Sequence, residues 1–328
     1  MLSRLLYVLL SLVVGFFAWF LFATQPVTPQ INNQKTFEIS AGASLNQIIN
    51  NLSAQKLVRS RTAFKITVIR LGFQNKLQAG LFQLSPSMDA TEIAKALTKA
   101  QTKQVRVTIP EGLRSQEINQ ILSKSFASVE GAKFNTSEFT TLTKDLEGKL
   151  FPDTYDFEIK ATTQDVINKL TDQYHTVIKN LKITPEKEKH ILVVASLLER
   201  EAANSSEMPQ IAGVIEKRLA NSWSLQIDAT VQYALSSKFC KKLDCEWWKP
   251  GLTLADLSID SPYNTYKNQG LPPAPISNPG KSALAAAVNP TSSSAWFYLH
   301  DPKGQIYFAD SIEQHNKNVC LYLKKDCN

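Results

Sequence analysis

The chain opens on its longest apolar run: Leu5 to Phe22 carries no charge and is interrupted only by Tyr7, Ser11 and Gly15. As a helix such a run spans roughly 27 Å, close to the thickness of a bilayer core. Thr24–Lys35 (TQPVTPQINNQK) follows with two prolines and little to bury, and predicts an extended spacer. From Thr36 the periods are those of a small mixed module. TFEIS alternates as a strand, and Gly42-Ala43-Ser44 makes a turn and N-cap before Leu45, Ile48, Ile49 and Leu52 at helical spacing. Phe64, Val68 and Leu71 predict a second helix, and AGLFQLSP a strand. Asp89 or Thr91 is placed to cap a third helix with Ile93, Ala94 and Leu97 on one face, and Gln104–Ile109 (QVRVTI) alternates as a returning strand. About 70 residues in this pattern suffice for an independently folding α+β unit.

Past Pro110 the pattern changes. Gln116–Leu122 and Thr163–Ile178 predict helices, separated by LFPDTYDF, which reads as an aromatic, proline-containing loop. Glu186–Ala203 carries the strongest helical signal, and Ile211–Leu219 predicts another helix. Cys240 to Pro290 is rich in Pro, Gly, Asn and Ser and predicts short segments, after which Trp296–Leu299 and Gln305–Phe308 predict a closing hairpin. The expected class is α+β in four parts: an anchor at 1–23, a linker at 24–35, a small domain at 36–110 and a larger domain at 111–328.

Composition narrows the chemistry. With 43% hydrophobic and 20% charged residues the chain is neither disordered nor fibrous. Its 12 glycines form no phosphate-cradling loop, and HExxH, GxSxG and CxxC are missing, so neither a cofactor nor a metal is expected. The net charge of +7 divides into +9 over residues 1–110 and −2 over the rest. A basic module suits nucleic acid, anionic lipid or an acidic polymer. No strand–aromatic RNA-binding motif accompanies it, and the apolar run ahead of it argues against nucleic acid.

That run competes between a retained anchor and a cleaved signal peptide. It is longer than a usual signal core, and the cleavage pattern around Phe22-Ala23-Thr24 is poorly formed, so a retained anchor is expected. Arg4 precedes it and no other cation appears before Lys35, which predicts a cytoplasmic N-terminus and an outward-facing remainder. Cys240, Cys245, Cys320 and Cys327 fall into two close couples. Outside the cytoplasm two short-loop disulfides are the simplest reading; a four-cysteine zinc site is the sharper alternative, with poorly fitting spacings. The pairing stays open.

The candidate chemistry lies in Ile191–Glu201 (ILVVASLLERE). Val194, Leu197, Leu198 and Glu201 share one helical stripe, whereas Glu199 points roughly 160° away. A carboxyl partly desolvated by Leu197 and Leu198 has the raised pKa that a general acid needs at neutral pH. Pairing of Glu201 with Arg200, Arg218 or solvent satisfies the spacing equally well, and Glu199 is expected to hold the helix through an ion pair.

The stretch ASLLEREAANSSEMPQIAGVIEKRL, followed by LQIDATVQY, SPYNTY, GLPPAPISNPG and QHN, with EGLR at Glu111–Arg114, resembles the MltG, or YceG-like, family of endolytic murein transglycosylases. The resemblance runs in order through nearly the whole chain. It implies a bacterial inner-membrane protein with its catalytic domain in the periplasm and a LysM-like small domain able to bind glycan. It also implies peptidoglycan strands as substrate and peptidoglycan synthases as neighbours. The second Glu of the family's E-[KR]-E motif is its catalytic acid, and Glu201 stands at that position. The sequence departs from the family pattern at Ala229, where Pro is usual, at Ala274, where Gly is common, and at Ile306, where a His is often found.

Around Glu201 further candidates follow. Gln226 and Asp228 are suited to hydrogen-bond an acetamido group or to orient Glu201, although Asp228 equally suits a cap for a helix starting at Ala229. Tyr263, Asn264 and Tyr266 lie in a proline-bounded loop fit for sugar contacts, or for turn chemistry and core packing. His315 and Asn316 resemble a family signature without a mapped partner. Two rival functions remain: a muramidase that uses water, with Asp228 as second carboxylate, and a non-catalytic glycan-binding scaffold.

Overall fold

The computed structural model describes residues 2–30, 33–40, 42–99 and 104–324, with backbone alone for residues 2–5. It divides into two compact units, Met1–Lys103 and Gln104–Asn328.

The first unit begins with α1 (Leu2–Ala23), whose Leu6–Ala23 segment has a mean hydropathy of 2.4 and is long and apolar enough to cross a membrane. Strands β1 (Lys35–Ile39) and β2 (Gly80–Leu84) pair antiparallel with Phe37 opposite Phe82. Three short helices, α2 (Leu45–Ala54), α3 (Arg61–Arg70) and α4 (Ala90–Ala96), complete the module. Local chemistry sets their starts: Ser44 and Gln47 form a reciprocal capping box, Ser60 caps α3, and Asp89 and Glu92 form a second box. Phe37, Leu52, Phe64, Val68, Phe82, Leu84 and Ile93 fill the core.

Two expectations are corrected here. The segment after α1 is no free spacer through its first residues. Thr24 O accepts from Ala90 N at 2.9 Å, Thr28 N donates to Pro86 O at 3.0 Å, and Arg59 Nε donates to Pro26 O at 2.7 Å. The strand over Gln104–Thr108 (β3) does not close the small module. It pairs antiparallel with β4 (Thr154–Glu158) in the second unit, where Val107 and Ile109 bury beside Tyr155 and Phe157. The stretch read as a loop therefore contains a strand, because Tyr155 and Phe157 alternate inward.

The second unit continues with α5 (Ser115–Ala127), α6 (Thr136–Leu142) and α7 (Thr163–Asn180), which cover the β3–β4 ribbon. At its centre stands α8 (Pro185–Glu201), packed against α9 (Met208–Ala220), α10 (Asp228–Phe239) and α11 (Lys281–Val288). Every residue from Ile191 to Leu198 is buried. Gly213 allows α9 to approach the chain closely, since a Cβ there would collide with Thr291 O. The hairpin β5 (Phe297–His300) and β6 (Ile306–Ala309) precedes α12 (Ile312–Asn318). Cys240 and Cys245 are bonded to each other; Cys320 is disulfide-bonded too, and Cys327 lies outside the described residues.

Candidate functional site

Helix α8 delivers the carboxylate. Pro185 starts it, Glu186 and Glu188 stand in its first turn, and Arg200 in its last, in accord with the helix dipole. Ser196 donates to Val193 O at 2.7 Å and accepts from Ile276 N at 3.1 Å, so the 271–278 segment is stitched to the helix middle. At Ala202 the backbone turns extended, and the buried Glu207 carboxylate receives the N–H groups of Ala203 and Asn204. This tight corner fixes where Glu201 emerges.

Glu201 is half-buried, and its Oε2 accepts from the Tyr298 hydroxyl at 2.6 Å. Desolvation pushes its pKa up. The Tyr298 hydrogen bond pulls it down, the Asp228 charge pushes it up, and His300 and Arg218 pull it down; the balance stays raised. Burial and the neighbouring Glu201 hold the Tyr298 phenol well above its ordinary pKa, so it is a donor at neutral pH. Arg218 makes no direct pair with the carboxylate. Its Nε and Nη2 donate to Trp296 O at 2.9 and 2.6 Å, and Nη1 to Leu225 O at 2.5 Å. Arg200 instead lies 3.9 Å over the Trp248 ring.

Glu199 departs to the other side, as its phase predicts, but forms a cap where an ion pair was expected: its Oε2 accepts from Gly280 N at 2.9 Å, just ahead of α11. A Cβ at Gly280 would meet the Glu111 carboxylate, which would have to swing aside.

Asp228 is the first residue of α10 and makes no side-chain cap; its Oδ1 accepts from the Tyr266 hydroxyl at 2.6 Å. Tyr266 lies in the fields of Glu201 and Arg218 as well, and burial with the Asp228 carboxylate pushes its phenol up. The sequence-predicted Asp228 and Tyr266 are thus brought to Glu201. Gln226 is exposed in the left-handed region at φ 53°, its N–H donating to Thr265 O at 3.2 Å. Hydrogen bonds from Ile227 N to Thr265 Oγ1 and between the Thr230 and Thr265 hydroxyls hold this segment to the Tyr266 loop.

Three candidates part from the site. Asn264 is fully buried: its Nδ2 donates to Leu257 O and Ile259 O, both at 2.9 Å, and its Oδ1 accepts from Tyr266 N. Its amide is consumed in shaping the loop, which corrects the expected sugar contact. Tyr263 packs on Tyr233 with ring centroids 4.7 Å apart, and the charges that act on it are Glu147 and Arg114 rather than Glu201. His315 stacks on Phe297 at 5.1 Å, on the strand position adjacent to Tyr298 and so on the opposite sheet face.

The hairpin contributes what the sequence reading passed over. Tyr298 and His300 share one face of β5, and His300 Nε2 meets the Glu207 carboxylate at 3.0 Å. A WFYLH strand with two polar-tipped rings at alternate positions was the available signal. His300 stands directly across the hairpin from Ile306.

The sequence model of the YceG-like family matches residues 37–320. The endolytic murein transglycosylase of Bacillus subtilis (strain 168) is 30% identical over 91% of this chain and 88% of its own length. The protein of the same name from Streptococcus pneumoniae (strain D39) is 27% identical over 92% of this chain, which spans 61% of that longer relative. Among solved structures, a yceG-like protein of Listeria monocytogenes, a 2.6 Å crystal structure, superposes with a TM-score of 0.54 at 29% identity, covering 88% of this chain and 99% of that one. A family match that takes in the small module, α8 and the hairpin alike leaves one conclusion: the chain belongs to the YceG-like family.

Proposed function

We propose that the chain is a membrane-anchored lytic transglycosylase that cuts the β-1,4 bond between N-acetylmuramic acid and N-acetylglucosamine in nascent peptidoglycan and leaves 1,6-anhydro ends. The observation that carries this reading is a single half-buried carboxyl, Glu201, with its pKa raised and one oxygen held by Tyr298. Tyr298 engages Oε2, which leaves Oε1 to carry the proton toward the leaving oxygen. After bond cleavage the carboxylate takes the proton of the muramyl C6 hydroxyl, which closes on C1. Because that nucleophile is tethered to the reacting sugar, effective molarity replaces an activated water and one acid/base suffices. Ordinary glycosidases need a second carboxylate for this purpose. Asp228, held by Tyr266, raises the proton affinity of Glu201 in this reading, and exposed Gln226 offers an amide to the sugar.

The homologues' names support peptidoglycan as substrate. The apolar α1 fits a single-pass anchor in the inner membrane, with the N-terminus cytoplasmic and the second unit periplasmic. The small α+β module is read as LysM-like, and the enzyme as working beside peptidoglycan synthases to set strand length.

Digestion of sacculi followed by mass spectrometry tests the chemistry. Anhydro-terminated products, one water lighter than hydrolytic ones, are expected, and Glu201→Gln should abolish them. Reducing muramyl ends would show a water-using muramidase with Asp228 as the second carboxylate. Undiminished cleavage by Glu201→Gln would remove Glu201 from the chemistry.

A further inference from the structure

We infer that the small module docks on the outer surface of the bilayer through α3, with Arg59 and Arg70 binding lipid phosphates and Ile69 entering the interface. The inference rests on the reading of α1 as a membrane span. Given that span, depth follows from geometry. The apolar segment ends at Ala23, so the Phe20 backbone lies about 4.5 Å below its end. The Arg70 guanidinium lies 6.0 Å from the Phe20 ring centroid, and that of Arg59 lies 4.9 Å from the Phe22 centroid. Both cations therefore sit at headgroup depth.

The module is held there. Arg59 binds Pro26 O and Val27 O, Thr28 N donates to Pro86 O, and Ala90 N donates to Thr24 O, all within the first residues after the span. Ile66, Ile69 and Arg70 share one face of α3, and apolar Ile69, next in the chain to Arg70, is 51% exposed.

Charge points the same way. Among the described residues no carboxylate forms an ion pair with any cation of this module. Asp89 and Glu92 are engaged in their capping box. The counter-charge must come from outside, and a guanidinium at headgroup depth meets phosphate oxygens in the planar, two-pronged geometry it binds best. A polymer in solution would require these cations to lie clear of the bilayer, which their contacts with the last turn of the span do not allow.

The test uses the full chain with Ile69→Cys, labelled with an NBD fluorophore once the parent chain is shown to take up no label. It is reconstituted in vesicles of phosphatidylethanolamine and phosphatidylglycerol, with or without lipid carrying a headgroup nitroxide. Blue-shifted emission that the nitroxide lipid quenches and aqueous iodide does not is the expected result. Arg59→Gln with Arg70→Gln should lower the docked-to-lifted ratio about fivefold per cation, about 25-fold together. Replacing phosphatidylglycerol by phosphatidylcholine should lower it in the unsubstituted chain too, a measurement independent of any variant's folding. A label at Val13→Cys, read in vesicles whose lipid carries the nitroxide deep in its acyl chain, reports the span itself. Iodide-accessible, lipid-insensitive emission at position 69, in vesicles where position 13 is quenched from the bilayer core, overturns the docking and leaves the anchor standing. Absence of quenching at position 13 overturns the anchor, and the docking with it.

Discussion

Tyr298→Phe removes one oxygen from the site and leaves the ring that packs β5 against the core. The lost contact is a 2.6 Å hydrogen bond into a half-buried carboxyl. Such a bond contributes about 1.5–3 kcal/mol to a charged acceptor and about 1 kcal/mol to a neutral one. The carboxylate therefore loses about 1 kcal/mol more than the acid, close to one pH unit at 1.36 kcal/mol per unit. The sign is upward: without the phenol, Glu201 gives up its proton at higher pH. In the proposed mechanism cleavage starts from protonated Glu201, so the alkaline limb of kcat/KM, which reports the free enzyme, should move up by about one pH unit. The plateau should fall about tenfold as the carboxyl loses its fixed orientation. The assay counts anhydro-terminated muropeptides released from glycan strands across the neutral range, with circular dichroism to confirm the fold. An alkaline limb that stays in place or moves down refutes the assignment of Tyr298 as the group that positions Glu201.

Asp228→Asn should have the opposite sign, since it deletes a charge that raises the Glu201 pKa: the alkaline limb moves down while anhydro products persist. Complete loss of cleavage in that variant would favour Asp228 as a reacting base. Glu199→Ala removes the acceptor of Gly280 N and should cost about 1 kcal/mol in thermal unfolding, with the Glu201-dependent products retained. At Glu147, burial holds the carboxyl up at about 7, while Arg114, Ser115 and Asn278 pull it down. The folded chain then keeps a proton that the unfolded chain releases near 4.5, so stability is full below that pH and falls as pH climbs through 7, by at most about 3 kcal/mol. Glu147→Gln should flatten the decline of Tm over that window.

The α+β class and most helices were legible because their signals are local. Ser44 with Gln47 and Asp89 with Glu92 mark helix starts within four residues, and the apolar Ile191–Leu198 run marks a helix buried on all sides. Partners were not legible. The alternation of Gln104–Thr108 announces a strand, yet only the distant Tyr155 and Phe157, and Asp156 opposite Arg106 at 2.7 Å, say which strand it joins. Pro152 and Asp153 disguised that second strand as a loop. The site divides in the same way. Glu201 follows from its stripe, but Tyr298 meets it across 97 residues, a relation no local period encodes. Asn264 misled for a physical reason: a loop amide looks available for sugar until the turn it closes uses both of its N–H bonds.

What would suit Glu201 to the two successive roles proposed for it is that no single partner dominates it. A direct ion pair would keep the carboxyl ionised and take away the acid; an apolar cage alone would keep it protonated and take away the base. Here desolvation and Asp228 act in one direction, and Tyr298, His300 and Arg218 in the other. Arg218 supplies its charge without contact because Trp296 O and Leu225 O occupy its guanidinium. His300 is held from behind by Glu207, the same carboxylate that shapes the corner after α8. The corner that brings Glu201 to the surface and the field that tunes it therefore share a residue, so a change at Glu207 should disturb the position and the proton affinity of Glu201 together.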